Sequence, residues 1–315
     1  MNVLLEKPMP AASQMISDLA GRVSPGTLLR AGEPMSRRTT LRVGGPADVY
    51  AEPASEADLS VLLAQASDAG VPVLILGRGS NLLVRDGGIR GMVICLGQPA
   101  FCAIAGEGEE LNCGAGARLK QVAHEARRRG LSGFEFMEGI PGSVGGALRM
   151  NAGAMGAATF DLVQRVRLMD FHGRAEELAP AAMEVRYRGC GILRTHVALG
   201  AVMRGRPDSA ESIAQRMSAF GQKRWTSQPA APSAGCVFKN PESIPAGKLI
   251  DELGLKGTRL GGARVSMEHG NFIVNDGAAR AADVLALIEL LRGRAWSERG
   301  IRLETEVEIV GEEAS

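Results

Sequence analysis

The chain has 315 residues, more than one typical core supports, and its length predicts two or three domains. Hydrophobic residues make up 45% and charged residues 23%, as in soluble globular proteins, and a formal net charge of +1 argues against nucleic acid or an anionic membrane as main partner. Five cysteines without a CxxC pair and four scattered histidines fit no zinc template, so we expect no metal site and a cytoplasmic location.

The first 40 residues carry only weak patterning and are expected to form an N-terminal segment, 1–40. Glu6 and Pro8 interrupt the stretch where a secretion signal needs an apolar core, so we expect no signal peptide. No apolar run approaches the roughly 20 residues that cross a bilayer, and we therefore expect no membrane insertion.

The following elements alternate between helical and strand-like periods. Ser55 and Gly70 bound a predicted helix as N-cap and C-terminal glycine. Further elements are predicted in this order: strands at 71–76 and 92–96, a helix from 119 to 130, short strands from 163 to 203, a helix from Asp208, a strand at 271–275, a helix over 281–291, and a strictly alternating strand over 301–310. The pattern predicts an α+β fold with domains at 41–205 and 206–300 and a returning C-terminal strand, 301–315.

Gly77 and Gly79 follow the predicted strand at 71–76. They make a poor dinucleotide fingerprint, because Leu82 stands where GxGxxG needs its third glycine. The residues leave two interpretations open, a plain turn between strands and a nest of backbone N–H groups that binds an anion.

Residues 139–156 contain six glycines among eighteen residues. We expect no stable helix there, because each glycine costs about 1 kcal/mol in a helix. The backbone could line a phosphate or a flat ring, or the stretch could be a surface loop. Two glycine-rich stretches in one domain favour a phosphate-bearing cofactor.

The stretch "PSAGCVFKNP" places Cys236 in a turn rich in small residues, where a packing role and a chemical role are both open. In the C-terminal alternation, Glu304, Glu306 and Glu308 share one polar face and cannot be told apart by periodicity. Arg188 in "RYRGC" would, by itself, be read as a surface charge.

Seven motifs in this order, spanning about residues 40 to 311, resemble the UDP-N-acetylenolpyruvoylglucosamine reductase (MurB) family: "GRGSNLLVRDGG", "GIPGSVGGALRMNAGAMG", "YR" at 187–188, "PSAGCVFKNP", "AGKLIDELGLKG", "GGARVSMEHGNFIVN" and "LETEVEIVG". The resemblance implies a two-lobed FAD-binding region of the vanillyl-alcohol-oxidase (PCMH) type and an α/β substrate-binding domain. It also implies NADPH as reductant, FAD as hydride carrier, and reduction of UDP-N-acetylenolpyruvoylglucosamine to UDP-N-acetylmuramate for peptidoglycan synthesis.

By the same resemblance, FAD is held without a covalent bond by both glycine-rich stretches. The implied cofactor residues are Gly77, Arg78, Gly79, Ser80, Asn81, Leu82, Gly139, Pro141, Gly142, Ser143, Gly145, Gly146, Asn151, Gly153 and Ala154.

The resemblance implies that Cys236 is the proton donor, at a position that is commonly serine in the family. It selects Glu304 as the carboxylate near the developing charge and Arg188 as the matching arginine. The implied substrate contacts are Arg224, Lys239, Asn240 and His269, with Lys223 as the alternative to Arg224.

Three departures accompany the likeness: Cys190 stands where a serine is frequent, Met155 where a tyrosine is frequent, and no counterpart of the tyrosine-bearing loop is found. This pattern is similar to the shorter family type. Two rival functions remain, a related FAD-dependent oxidase with covalently linked flavin and a non-catalytic flavin- or nucleotide-sugar-binding regulator. The lack of a heptad seam is compatible with a monomer.

Overall fold

The computed structural model describes residues 10–314. The expectation that there is no signal peptide concerns residues 1–9 in part, and these lie outside the described residues. The helices are α1 (Ala12–Ala20), α2 (Glu56–Asp68), α3 (Leu119–Arg128), α4 (Val144–Met150), α5 (Ala210–Ser227), α6 (Ala246–Glu252) and α7 (Ala281–Arg299). None of these helices combines the length and apolar character that crossing a bilayer requires.

The first lobe is built on a four-stranded sheet with the order β1-β2-β5-β3. The strands of this part of the chain are β1 (Leu28–Pro34), β2 (Pro46–Glu52), β3 (Val73–Leu76), β4 (Leu82–Val84) and β5 (Ile89–Cys95). Strand β1 is antiparallel to β2, whereas β2 and β3 both run parallel to β5. Strand β4 lies outside this sheet.

The second lobe contains an antiparallel five-stranded sheet with the order β12-β11-β15-β7-β6. The strands from here to the end of the lobe are β6 (Ile104–Glu107), β7 (Glu110–Gly114), β8 (Leu131–Ser132), β9 (Gly153–Ala154), β10 (Ala157–Ala158), β11 (Val163–Asp170), β12 (Ala175–Leu178), β13 (Val185–Arg186), β14 (Gly189–Cys190), β15 (His196–Arg204) and β16 (Arg206–Pro207). The short strands pair as β8 with β16, β9 with β10 and β13 with β14.

The C-terminal domain packs α6 and α7 with a sheet of order β17-β20-β19-β18. Its strands are β17 (Ser233–Cys236), β18 (Arg259–Leu260), β19 (Ala263–Val265), β20 (Phe272–Asn275) and β21 (Glu308–Val310). The last of them leaves this domain, because β21 pairs in parallel with β4 of the first lobe.

Local signals explain where α2 begins and ends. The Ser55 hydroxyl accepts a hydrogen bond from the Asp58 N–H at 3.1 Å, which satisfies one of the free donors at the helix start. Gly70 follows the helix with φ +66°, a conformation that favours glycine. The predicted cap and stop of this helix are confirmed.

The apolar packing differs from the predicted domain limits in two places. Met15 and Leu19 pack into one core with α2 and α3, so the described part of segment 1–40 does not stand apart. Ile213 and Met217 of α5 join that same core, and Arg216 forms an ion pair with Glu135 at 2.8 Å. The second domain therefore begins after α5 rather than at residue 206.

The expectation that glycines exclude a helix from residues 139–156 is wrong, because α4 contains Gly145 and Gly146. The helix begins where the N–H groups of Val144 and Gly145 donate to the carbonyls of Ala117 and Ala115 at 2.9 and 2.7 Å. A Cβ at Gly145 would lie 3.2 Å from the Ala115 Cβ, so glycine permits this close approach. Tertiary contacts thus override the weak helix propensity.

The predicted strand over 301–310 is regular only at Glu308–Val310. Thr305 makes an isolated antiparallel bridge to Phe238 of the C-terminal domain, three residues before the parallel pairing with β4 begins. The segment changes partner between these two points. The alternation nevertheless persists, because Leu303 and Val307 are buried while Glu304 is exposed and Glu306 and Glu308 line a cavity.

Candidate active site

Two adjoining cavities run between the glycine-rich stretches. The larger has a volume of about 530 Å³ and the smaller about 270 Å³. Both are lined by residues 74–78 and by Ser143, Gly146 and Arg149, so they form one continuous groove.

The turn between β3 and β4 forms one wall of this groove. Within residues 10–314, no hydrogen-bond acceptor is found for the backbone N–H groups of residues 78–81. Gly79 has φ +60°, and a Cβ there would lie 2.4 Å from the Arg38 carbonyl oxygen. The turn is therefore both a strand-to-strand connection and a nest of free N–H groups, which is suited to an anion.

The second glycine-rich stretch forms the facing wall. A Cβ at Gly77 would lie 2.8 Å from the Ser143 hydroxyl, so the absence of a side chain at residue 77 permits the close approach of the two stretches. The predicted cofactor residues that line the smaller cavity are Gly77, Arg78, Gly79, Ser80, Asn81, Leu82, Pro141, Gly142, Ser143, Gly146, Gly153 and Ala154. Gly145 lines the larger cavity.

Two predicted cofactor residues do not line the groove. A Cβ at Gly139 would lie 3.2 Å from the Cδ of Arg224, so this glycine makes room for an arginine. Asn151 ends α4 in a left-handed conformation, with its Oδ1 accepting from the Phe160 N–H at 3.2 Å and its Nδ2 donating to the Arg186 carbonyl at 3.3 Å. It supports the loop rather than the groove.

Cys236 ends β17 and lines the smaller cavity. Gly235, with φ +75°, gives the turn that precedes it. Burial raises the pKa of the Cys236 thiol to about 11, and the nearby Glu306 carboxylate adds to the increase, whereas Arg188 and Arg224 act against it. The thiol is therefore protonated at neutral pH.

Glu306 and Arg188 lie in the same cavity as Cys236. The Nε of Arg188 is 2.8 Å from the Oε1 of Glu306. Burial raises the pKa of the Glu306 carboxyl, although the charges of Arg188 and Lys239 lower it. Arg188 sits in the β13–β14 turn with φ +56°, a strained conformation for a non-glycine residue that is typical of functional sites.

Backbone contacts hold Cys236 and Glu306 on one frame. The Asn271 side chain accepts from the Phe238 N–H at 2.9 Å and donates to the Phe238 carbonyl at 2.8 Å, which fixes the segment after Cys236. The Val237 carbonyl accepts from the Glu306 N–H at 2.8 Å. Asn81 of the nest donates to the Glu306 carbonyl at 3.0 Å, so the frame includes the first glycine-rich stretch.

The selection of Glu304 as the catalytic carboxylate needs correction. Its side chain is 76% exposed, pairs with Lys239 at 3.2 Å, and does not line the cavity. Glu306 is the carboxylate beside Cys236. Glu306 and Glu308 both line the smaller cavity, whereas Glu304 lies outside it, and the alternation alone does not show how far along the segment the cavity extends.

Among the predicted substrate residues, Arg224 lines the cavity, whereas the neighbouring Lys223 is exposed. Lys239, Asn240 and His269 do not line it. Asn240 accepts from the Ala246 N–H at the start of α6 at 3.0 Å. His269 accepts from the Asn271 N–H at 3.1 Å and packs against Phe272, so both side chains serve local structure.

Comparison with known proteins gives the family. A family model described as FAD binding domain matches residues 47–179, and one described as UDP-N-acetylenolpyruvoylglucosamine reductase, C-terminal domain, matches residues 228–310. The reductase of Geobacter metallireducens, which carries that name, is 45% identical over 91% of this chain and 95% of its own length. The chain belongs to the UDP-N-acetylenolpyruvoylglucosamine reductase family.

Another member of the reductase family, from Heliobacterium modesticaldum, is 46% identical over 89% of this chain and 90% of its own length. The crystal structure of UDP-N-acetylenolpyruvylglucosamine reductase (MurB) from Thermus caldophilus has a TM-score of 0.78, with 37% identity over 90% of this chain and 98% of that one. Membership confirms the α+β fold with an FAD-binding region and identifies the protein as an FAD-dependent oxidoreductase.

The residues present fit FAD as the reductase cofactor. The free N–H groups of residues 78–81 suit a diphosphate, and Gly77, Gly142 and Gly146 line the groove, so that a flat ring can lie against the backbone. These contacts would hold FAD without a covalent bond to the protein.

We expect Gly79→Ala to lower the FAD content of the purified protein strongly. The added Cβ meets the Arg38 carbonyl at 2.4 Å and strains a φ of +60°, so the nest must change shape. Gly70→Ala is the matched control, since it has φ +66°, open space around the Cβ, and no contact with the groove. Flavin absorbance per protein measures the result, and equal FAD content in the two variants would contradict the role of the nest.

Proposed function

We propose that the protein reduces UDP-N-acetylenolpyruvoylglucosamine to UDP-N-acetylmuramate, a precursor of peptidoglycan, with NADPH as reductant. FAD supplies the hydride when it is bound along the groove and reduced by NADPH. The observation that carries the proposal is that Cys236, Arg188, Glu306 and Arg224 line the same smaller cavity as the two glycine-rich stretches.

Cys236 serves as the proton donor. Hydride addition to the terminal carbon of the enolpyruvyl double bond leaves negative charge on the neighbouring carbon and its carboxylate. The Sγ–H bond breaks and its proton moves to that neighbouring carbon, which completes the saturated product. Because the pKa of the thiol is raised to about 11, the proton is present when it is needed.

The positive charges of two arginines stabilise the anions that form during the reaction. Arg188 and Arg224 both act on the thiol as nearby positive charges, so they stabilise the thiolate that remains after proton transfer. A guanidinium also suits the substrate carboxylate, whose charge grows during the reaction. Glu306, with its raised pKa, can hold a proton close to that charge.

We place the protein in the cytoplasm, which agrees with the five free cysteines of the described residues. The monomeric state expected from the sequence remains a prediction. The frame that joins Cys236, Glu306 and Asn81 supports a catalytic role over a purely regulatory one, since simple binding requires no proton donor.

Anaerobic half-reactions test the function. We expect NADPH to bleach the yellow protein and UDP-N-acetylenolpyruvoylglucosamine to restore the colour with one equivalent. Acid precipitation should release the flavin into the supernatant, because its binding is non-covalent. Restoration of colour only by oxygen would favour the oxidase, and no bleaching by NADPH would favour the regulator.

A further inference from the structure

Gln228 is a cavity residue to which neither the sequence nor the family likeness assigns a role. It follows the last residue of α5 and lines the smaller cavity together with Cys236 and Glu306. Its Oε1 is buried, and no hydrogen-bond donor for it exists within the part of the chain that the structure describes. A buried acceptor without a donor is unfavourable, so a ligand group that donates a hydrogen bond is expected there.

Arg224 lies one helical turn before Gln228 and lines the same cavity. Burial lowers the pKa of its guanidinium, and among residues 10–314 no carboxylate forms an ion pair with it. The charge of Arg188, in contrast, is matched by Glu306 at 2.8 Å. Arg224 is thus available for an anionic group of the ligand close to Cys236.

The spacing of the two side chains limits which ligand fits both. Gln228 is the C-cap of α5 with an extended backbone, and its N–H donates to the Arg224 carbonyl at 2.9 Å, so both side chains leave the same end of the helix. The ligand must therefore carry an anion and a hydrogen-bond donor close together. In UDP-N-acetylenolpyruvoylglucosamine, the enolpyruvyl ether and the acetamido group sit on adjacent carbons of the sugar ring, which satisfies this condition.

We propose that Gln228 is a specificity-determining residue that accepts a hydrogen bond from the acetamido N–H of the substrate while Arg224 binds the carboxylate. The pairing holds the sugar by two neighbouring substituents and presents the carbon beside the carboxylate to Cys236. The inference rests on the proposed function and names the part of the substrate that this end of α5 recognises.

Gln228→Met tests the inference, because methionine keeps the length of the side chain but cannot accept this hydrogen bond. We expect KM for the substrate to rise roughly 10- to 100-fold with kcat little changed. Gln222→Met is the matched control on the same helix, where the side chain is exposed and lies outside both cavities. Both variants should keep the FAD content of the original protein.

A substrate analogue with hydrogen in place of the acetamido group completes the test. For the unsubstituted protein, KM for the analogue should exceed KM for the substrate by a factor similar to the KM increase of Gln228→Met. For Gln228→Met, the KM values of the two compounds should be similar. Gln228→Glu retains an acceptor oxygen and should therefore retain the preference for the acetamido compound. This variant tests the inference if Gln228→Met does not fold.

Two results would overturn the inference: an unchanged preference for the acetamido compound in Gln228→Met, or loss of FAD from that variant with KM unaltered, which would assign Gln228 to the cofactor. Failure of the original protein to turn over the substrate would instead contradict the proposed function.

Discussion

Replacement of Cys236 by alanine is expected to lower turnover by roughly 10²- to 10⁴-fold, the usual contribution of a positioned general acid. The variant should still be reduced by NADPH, because the groove that holds FAD does not depend on the thiol. Oxidation of the reduced flavin by UDP-N-acetylenolpyruvoylglucosamine should be the step that fails. Anaerobic stopped-flow measurement of the two half-reactions separates these outcomes.

Cys236→Ser is the control, because a hydroxyl at this position keeps a proton to donate. In the original protein, kcat/KM should fall as pH rises through about 11, since the raised thiol pKa keeps the donor protonated below that value and the proton is lost above it. The serine variant should lack this alkaline limb. Normal flavin oxidation by substrate in Cys236→Ala would remove Cys236 from the mechanism.

Glu306→Gln is expected to lower kcat by roughly 10²- to 10³-fold, whereas Glu304→Gln should stay within about twofold of the original rate. The amide at residue 306 can neither hold an acidic proton near the developing charge nor ionise beside Arg188, which lies 2.8 Å away in the cavity. Glu304 is 76% exposed and forms an ion pair with Lys239 outside the cavity. Steady-state kinetics at saturating NADPH compare the pair.

The pH profile adds a second measurement for Glu306. Its raised pKa keeps the carboxyl protonated to higher pH than an ordinary glutamate, and that proton is lost as pH rises through the raised value. We expect the corresponding limb of the kcat profile to disappear in Glu306→Gln and to persist in Glu304→Gln. Loss of rate in Glu304→Gln alone would return the role to Glu304.

Short-range signals made much of the fold predictable. The cap at Ser55, the left-handed Gly70 and the apolar spacing of α2 and α7 act within one or two turns, and the structure has these elements where the sequence predicts them. The two glycine-rich stretches were also recognisable as cofactor-binding segments, because glycine lets the backbone approach a ligand closely.

The misses have a common physical cause, which is contact between distant segments. Helix α4 forms because carbonyls of Ala115 and Ala117 satisfy its first N–H groups. Glu306 lies beside Cys236 because the C-terminal segment bridges to Phe238 and then pairs with β4, both far away in sequence. Gln228 was missed although it stands four positions after Arg224, since a polar residue at a helix end normally faces water.

The parallel pairing of β21 with β4 determines when the catalytic residues come together as the chain folds. Asn81 and Glu306, joined by a 3.0 Å hydrogen bond, are 225 positions apart, and closing so long a loop is slow compared with forming local helices and hairpins. The two walls of the groove, one from each lobe, are built from contacts between segments much nearer in sequence than Asn81 and Glu306. We therefore expect the β4–β21 pairing, which brings Glu306 beside Cys236, to form late in folding, after the glycine-rich groove.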